Sequence, residues 1–320
     1  MKVNQVASER REDQSAPWID WRLRLKPESF LSSIPRSDAL FGHLCWLIVL
    51  RQGEDGLKSF LSPFLNSTPP FIFSDAFPAG TLPLPLRPFN SLNQSLDENY
   101  LLSKRADFIE VEEFIKCAAD ASYKVKRFLI SPELKIERER FFCSRFGSLE
   151  VAKDLSDSSF SNYSSAIVSQ ELELYVRVRE SAEKELFNWL SELGTIGYGA
   201  GKSKGWGRFT IKSLEKIDFF SAPSGGGFIN LSSYVPAAED PIEGYYRLKI
   251  KRGRVGEGGL GLNPYKRSLV QILPGAIFRE PNPGSLRGRM VKSLSAERPM
   301  LVENGYAFTC RCQFDYGEQG

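Results

Sequence analysis

The first elements of the chain follow from the spacing of its apolar residues. Apolar and polar side chains alternate over residues 19–25, which predicts a half-buried β-strand. Residues 37–50 are apolar nearly all round, so the helix predicted there should lie between a sheet and a second layer. Ser37 is the expected N-cap of this helix, and a shorter helix is predicted over residues 57–64.

A second strand–helix pair is predicted near the middle of the chain. Alternation over residues 172–179 indicates a strand, and an apolar stripe over residues 181–192 indicates a helix with Ser181 as its N-cap. Another strand is predicted over residues 208–214. This part of the chain therefore has the order strand, helix, glycine-rich loop, strand.

The glycine-rich loop is the segment with the clearest chemistry. Residues 194–209 read GTIGYGAGKSKGWGRF, with six glycines, three basic residues and no acidic residue. Glycines allow backbone amides to approach a ligand closely, and the positive charges favour a polyanion. The loop residues predicted to bind this anion are Gly197, Tyr198, Gly199, Gly201, Lys202, Ser203, Lys204, Gly205, Trp206 and Arg208.

The position of this loop argues against a nucleotide cofactor. P-loops and dinucleotide fingerprints leave a strand and open a helix, whose N-terminus holds the phosphate. This loop leaves a helix and enters a strand, and it is one residue short of the P-loop pattern. Two alternatives stay open: the loop is slack at the surface, and Tyr198 and Trp206 pack in the core instead of contacting the ligand.

The remaining segments divide the chain into domains. Prolines in residues 69–88 preclude a central strand, so we predict an edge hairpin or a projecting arm there. A Ser-, Pro- and Gly-rich linker at residues 221–227 separates a first domain, 17–220, from a strand-rich second domain, 228–320. Residues 1–16 have no apolar signal-peptide core and are expected to form a disordered tail. The second-domain strands are predicted over residues 228–235, 245–251, 269–278 and 306–314.

Charge is distributed unevenly along the chain. The whole chain has a net charge of +3, whereas residues 244–292 contain eleven basic and two acidic residues, a balance of +9. A basic face on a nearly neutral protein predicts a local anionic partner. Arg36 and Ser37 offer a second anion contact at a helix N-terminus, although a plain cap is equally open for Ser37. The second-domain candidates are Lys251, Arg252, Arg254, Lys266 and Arg267.

Cysteine and histidine usage limits the chemistry further. Five scattered cysteines indicate no disulfide framework and a reducing, cytoplasmic compartment. A single histidine cannot form a His-rich metal site, so we expect neither metal nor cofactor. The longest apolar run is too short to span a bilayer, so no membrane partner is expected.

Three segments resemble a known family: SDALFGHLCW at residues 37–46, FIFSDAFPAGTLPLP at 71–85 and NPYKRSLVQILPGAIF at 263–278. Together with the glycine loop they resemble the RAMP superfamily of CRISPR-associated proteins. Within it the chain is similar to the fourth Csm subunit of type III-A effector complexes. The resemblance covers most of the chain from residue 19 onward.

The resemblance implies an α+β fold of two tandem ferredoxin-like (RRM-like) domains, with a glycine-rich loop and a projecting thumb hairpin. It also implies a subunit of a heteromeric complex that caps the 5′ handle of the crRNA. The partners would be the large palm-domain subunit and a backbone RAMP subunit, with target RNA contacted indirectly. The thumb would fall on the arm, whose partner residues are Phe71, Phe73, Phe77, Leu82 and Phe89.

Some RAMP relatives cleave RNA without metal through a histidine, and His43 is the one candidate in this sequence. It lies in the apolar helix, where a buried structural histidine is the better interpretation. The carboxylates do not cluster as a two-metal site requires. We therefore expect no catalytic residue. An endoribonuclease that acts through His43 and a purely structural assembly subunit remain as alternatives.

Overall fold

The fold is that of a computed structural model. It describes residues 17–29, 31, 33–87, 106–125, 129–130, 171–199, 201–221, 225–253, 265–280, 286–295 and 301–314.

The described residues form an α+β structure, as predicted. The helices are α1 (Ser37–Leu65), α2 (Val111–Ala119) and α3 (Glu183–Ile196), with short 3-10 turns at Glu180–Ala182, Lys202–Lys204 and Phe219–Ser221. The first-half strands are β1 (Trp18–Pro27), β2 (Phe71–Pro78), β3 (Thr81–Pro83), β4 (Ala106–Glu110), β5 (Leu129–Ile130), β6 (Leu172–Arg179) and β7 (Phe209–Ile217). The second-half strands are β8 (Gly226–Asn230), β9 (Gly244–Tyr245), β10 (Leu248–Lys251), β11 (Leu269–Ile272), β12 (Ile277–Arg279), β13 (Gly288–Val291), β14 (Glu303–Tyr306) and β15 (Thr309–Gln313).

The principal sheet has the antiparallel order β2-β6-β1-β7. Its helices α1 and α3 follow its first and third strands, which matches the split βαβ arrangement of ferredoxin-like folds. The apolar residues of β1 lie in register with those of β6, so that Leu23 faces Leu174. They share one hydrophobic core with the buried sides of both helices, for example Leu44 and Leu190. The predicted strands and helices of this unit are therefore confirmed.

The helix starts differ from the expectation. Arg36, not Ser37, occupies the N-cap position of α1. Ser181 lies in a 3-10 turn, and the N-cap of α3 is Ala182, without a side-chain cap bond. The two helices predicted over residues 37–64 are joined across Gly53, whose φ of 71° and ψ of −169° interrupt the helical backbone.

The prediction of a projecting arm was wrong for the part of residues 69–88 that the structure describes. β2 is an edge strand, as the prolines suggested, but Phe71, Phe73, Phe77 and Leu82 are all buried. The ring of Phe71 lies 5.1 Å from that of Phe64 on α1. These aromatic residues pack beneath the kinked helix, so they are not available to partners. Phe89 lies outside the described residues.

The second half consists of shorter strands. β15-β8-β12-β9 form a four-stranded sheet, and β10-β11 and β13-β14 form two ribbons, while β3-β4-β5 make a small sheet in the first half. The described residues of the second half, from 225 onward, contain no α-helix, so the second ferredoxin-like domain is not confirmed. Ile229 and Phe308 join the principal core, so both halves share it. Across the described ranges, no helix is long and apolar enough to cross a membrane.

Candidate nucleic-acid interface

The glycine loop forms a closed turn between α3 and β7. The Tyr198 N–H donates to the Gly207 carbonyl over 2.8 Å, which joins the two arms of the loop. Gly207 has a φ of 80°, and a Cβ there would lie 1.9 Å from the Tyr198 carbonyl oxygen. Glycine at position 207 is therefore required for the close approach of the two arms. The loop is a turn with a fixed conformation.

Three of the expected phosphate-binding amides are already used inside the protein. The Gly197 N–H donates to Leu193 O at 2.7 Å, and the Gly205 N–H donates to Lys202 O at 2.9 Å. The Gly199 N–H donates to Nε2 of His43 at 3.0 Å. The glycines therefore shape the loop, and any grip on an anion must come mainly from its side chains.

The two aromatic residues of the loop have different surroundings. Tyr198 is only 2% exposed, its ring lies 5.0 Å from that of His43, and burial raises the pKa of its hydroxyl to about 12. Tyr198 therefore packs in the core and does not stack on a base. Trp206 is half-buried and lies against Gly201, where a Cβ would be 2.5 Å from the indole. The Lys204 ammonium lies 5.4 Å from the Trp206 ring centroid.

His43 on α1 supports the loop from below. Its Nε2 accepts the Gly199 N–H, so the neutral ring carries its hydrogen on Nδ1. Burial lowers the pKa of His43 to about 4, and the charge of Lys202 lowers it further. The ammonium of Lys202 lies 3.3 Å from Nδ1, which places two donors face to face. Among the described residues, no carboxylate lies within ion-pair distance of Lys202.

The predicted anion contact at the start of α1 is already occupied by a side chain. The buried Asp75 of β2 accepts the Ser37 N–H and the Ser37 hydroxyl through Oδ1, each at 2.9 Å. Oδ2 accepts the Ser233 hydroxyl at 2.8 Å. Arg36 donates to the same hydroxyl at 2.5 Å. A carboxylate thus occupies the helix N-terminus, and Ser37 is neither a cap nor open to RNA.

Two lysines of the predicted second-domain groove are also neutralised inside the protein. The Lys251 ammonium bonds Asp38 at 2.6 Å and also bonds Glu303. Lys266 bonds the other oxygen of Glu303 at 2.8 Å. Gln271 completes the network by donating to Asp38 at 2.7 Å. Lys251 and Lys266 are therefore structural ion-pair residues. Their carboxylate partners lie on α1 and β14, outside the basic segment itself.

The rest of the predicted basic set stays at the surface. Arg208 is exposed beside the loop, Arg252 and Arg267 are exposed in the second half, and Arg254 lies outside the described residues. Ser203 lies within the Lys202–Lys204 turn. Of the expected interface, the structure therefore retains Lys202, Lys204, Trp206 and Arg208 on the loop, and Arg252 and Arg267 beyond it.

The sequence analysis missed Lys249 as a separate candidate. Partial burial lowers the pKa of Lys249, and the positive charge of Arg36 lowers it further. The Arg36 backbone N–H donates to the Tyr198 hydroxyl at 3.3 Å, while its guanidinium donates to Ser233 and lies 3.7 Å from Asp75 at the junction of the halves. The excess of basic residues over residues 244–292 was the sequence signal for Lys249. Only the fold shows which of these basic residues lies near Arg36.

The face of the principal sheet opposite the helices is closed to bases. RRM domains stack RNA on exposed aromatics of such a face. Here it carries the cross-strand pairs Arg177–Asp20 at 2.7 Å and Arg24–Glu173 at 2.6 Å. Tyr175 on this face is fully buried against Phe220. The described residues also contain no group of three or more His, Cys, Asp or Glu side chains that could hold a metal ion.

Comparison with known proteins gives likenesses of structure only. No protein-family model and no curated protein gives a significant match to the chain. The fold is similar to a chain of the "Csm3-Csm4 subcomplex in the type III-A CRISPR-Cas interference complex", with 12% identity, a TM-score of 0.56, and coverage of 93% of this chain and 100% of that one.

Two further likenesses are to chains of Csm1-Csm4 structures. The "Csm1-Csm4 cassette in complex with cA3" gives 16% identity and a TM-score of 0.54, and the complex with cA4 gives 18% and 0.53. Each covers 94% of this chain and 100% of that chain. Csm4 is the component that all three descriptions name. At these identities the likeness concerns the fold.

Proposed function

We propose, from the premise that this chain has a Csm4-like RAMP fold, that it is a non-catalytic RNA-binding subunit of a type III CRISPR–Cas interference complex. In this role it binds and caps the 5′ handle of the crRNA, and it connects the large palm-domain subunit to the backbone subunits. The RNA lies along the glycine loop and the basic junction of the two halves, not on the principal sheet.

The observation that carries this proposal is the environment of Lys202. A lysine at the surface usually has water or a carboxylate around its ammonium group, whereas Lys202 faces the Nδ1–H of His43. An RNA phosphate oxygen is an acceptor for both donors and supplies the missing negative charge. Lys251 and Lys266, in contrast, already have carboxylates and need no anion.

The other surface residues extend this contact. Arg208 supplies a second cation beside the loop, and Lys249 supplies an exposed one at the junction of the halves, where Arg36 is already paired with Asp75 at 3.7 Å. Trp206 is the loop aromatic residue proposed to stack on an unstacked base, a contact that contributes about 1 to 3 kcal/mol in single-strand complexes. Phosphate contacts and one stacked base are what a grip on a single-stranded RNA end requires.

The first experiment measures binding of a fluorescent RNA with the repeat-derived 5′ handle as a function of salt. Lys202→Ala should weaken binding about tenfold and reduce the log–log salt slope by about 0.7, because one phosphate contact is lost. Lys58→Ala is the matched control, since Lys58 is exposed on α1 and paired with Asp55. If both variants behave like the wild type, Lys202 has no part in RNA binding.

We also propose that His43 does not cleave RNA. A general base needs a free lone pair and a pKa near the working pH. The Nε2 lone pair of His43 is engaged by Gly199, and its pKa is about 4. Purified chain incubated with repeat RNA in chelator should therefore leave the RNA intact. Cleavage that His43→Ala abolishes would instead identify a metal-independent endoribonuclease.

A further inference from the structure

Trp46 on α1 is the most exposed of the five tryptophans in the chain. Its exposed fraction is 45%, and that of Trp18 is 36%. The guanidinium of Arg179 covers the Trp18 ring at 4.2 Å, whereas the Trp46 indole has no hydrogen bond and no ring or cation contact with the residues that the structure describes. Single exposed apolar residues are ordinary, so the surroundings of Trp46 decide whether it has a role.

The position of Trp46 on α1 places it between two neighbouring parts of the fold. At 3.6 residues per turn, Gly42 and Trp46 form one exposed row of the helix. His43 lies on one side of this row and accepts a hydrogen bond from the glycine loop. Asp38 lies on the other side and bonds Lys251 of β10 at 2.6 Å. The row of Gly42 and Trp46, which we call the α1 row, is therefore bordered by the glycine loop and by β10.

The α1 row is open to a ligand at Gly42. This residue is exposed, and a Cβ there would meet no atom within 4 Å. Glycine disfavours a helix relative to alanine, and no close contact inside the described part of the chain requires it at this position. The backbone or sugar of a bound molecule can therefore lie directly against α1, beside the Trp46 ring.

Donors for an anion lie next to the α1 row. The Lys202 ammonium and the Nδ1–H of His43 face each other at 3.3 Å, and a phosphate oxygen accepts hydrogen bonds from both. Trp46 follows His43 by three residues, which is a rise of about 4.5 Å along α1. Proteins hold single-stranded nucleic acid by this combination of a cation for the backbone and an aromatic ring for a base.

We propose that Trp46 stacks on a base of the handle RNA next to the phosphate that Lys202 binds, with the RNA backbone passing over Gly42. This stack is a second base contact, separate from the one assigned to Trp206 on the loop. The donors beside the ring favour RNA over a protein surface, because every nucleotide brings a phosphate together with a base. The inference rests on the proposed function for the identity of the RNA.

The first test measures the affinity of the full chain for fluorescent handle RNA as a function of salt. Trp46→Ala should weaken binding by about tenfold, as the loss of one stacked base predicts. It should leave the log–log salt slope unchanged, because no phosphate contact is lost. Trp46→Phe keeps an aromatic face and should retain most of the affinity. Trp18→Ala is the matched control and should bind like the wild type, since Trp18 lies on the sheet face opposite the helices.

Abasic nucleotides locate the stacked base. Each base of the handle is removed in turn, and removal at one position should cost the wild type about tenfold in affinity. The same removal should cost Trp46→Ala less than about twofold, because the partner ring is already absent. Trp206→Ala should keep this penalty. If the penalty disappears in Trp206→Ala and persists in Trp46→Ala, the proposal is wrong.

Gly42→Gln keeps the proposal falsifiable if Trp46→Ala folds poorly. The glutamine side chain enters open space, so the free energy of unfolding should not fall. Because it covers the α1 row, it should weaken RNA binding by about tenfold. Equal RNA affinities of the wild type, Trp46→Ala and Gly42→Gln refute the proposal and leave the proposed function standing.

A scrambled RNA separates this inference from the proposed function. If it binds as tightly as handle RNA, the proposed function is wrong, and the abasic scan on the scrambled RNA still tests the stack. If the wild type binds neither RNA, both proposals are wrong. If Trp46→Ala loses affinity for a protein subunit but not for RNA, the ring contacts protein and this proposal is overturned.

Discussion

Lys202 and Lys251 have the same side chain in two basic segments, yet the structure gives them opposite surroundings. Lys251 is partly buried between two carboxylates, while Lys202 faces a histidine N–H. A lysine bonded to buried carboxylates stabilises the fold, and one without such a partner can bind an external anion. At the scale of the residue, the function of a charge is therefore decided by its neighbours.

The pKa of His43 can be measured directly, because this is the one histidine in the chain. Its imidazole resonances should titrate near pH 4 by NMR, since burial disfavours the charged ring. Lys202→Ala should raise this pKa part of the way towards 6.5, and handle RNA should raise it in the wild type by neutralising Lys202. A titration midpoint near 6.5 in the free wild type would contradict the buried, hydrogen-bonded ring.

The same depressed pKa has a consequence for stability. The unfolded chain binds a proton at His43 near pH 6.5, whereas the folded chain does so near pH 4. The unfolded state therefore binds more protons between these values, and the free energy of unfolding falls as the pH drops through this window. The contribution of His43 to the free energy of unfolding is fully present above its unfolded pKa of 6.5.

Among the elements, the glycine loop and strand β2 differ most from their composition. Six glycines suggested either slack or a cradle of free amides, but the loop is closed by hydrogen bonds that its glycines make possible. The aromatic and proline residues of β2 suggested an arm, but they pack under α1. Both segments are thus fixed by contacts with α1, a helix more than a hundred residues from the loop.

The loop closure predicts a contrast between two glycine substitutions. Gly207→Ala places a Cβ 1.9 Å from Tyr198 O, so it should destabilise the protein by more than the roughly 1 to 2 kcal/mol of a left-handed alanine and should weaken handle binding. Gly205 has a φ of 76°, but a Cβ there would have no atom within 4 Å. Gly205→Ala should therefore cost only the conformational energy of a left-handed alanine. Urea denaturation compares them. Equal unfolding free energies would argue against the closed loop.

In the whole molecule, the two halves are joined by polar networks as well as by the shared core. Asp75 of the first half binds Ser233 of the second, and Asp38 on α1 binds Lys251 on β10. Burial would raise the pKa of Asp38, but the Lys251 charge and the Gln271 hydrogen bond outweigh it and lower that pKa. Its stabilising contribution is therefore present above the unfolded pKa of about 4 and is lost as the pH falls through the folded value.

Lys251→Ala tests this link between the halves. It leaves the carboxylates of Asp38 and Glu303 without their shared cation, so the unfolding free energy should fall by about 3 to 5 kcal/mol. Arg252→Ala, at the exposed neighbouring residue, should change it by less than about 0.5 kcal/mol. Urea denaturation at pH 7 measures both. A similar small effect for the two variants would mean that the network contributes little.

The sequence by itself determined the α+β class, the strands and helices around the principal sheet and the glycine-rich turn, and the structure confirms them. It also carried a resemblance to CRISPR RAMP proteins, and the fold is similar to chains of Csm3-Csm4 and Csm1-Csm4 structures. These features depend on local periodicity and composition, which are readable within about twenty residues. Only the tertiary structure decided that Tyr198 is core, that Asp75 fills the α1 N-terminus and that Lys251 is neutralised. The physical reason is distance along the chain: Lys251 bonds a carboxylate 213 residues away and Lys202 contacts a histidine 159 residues away, and no local pattern specifies such pairs.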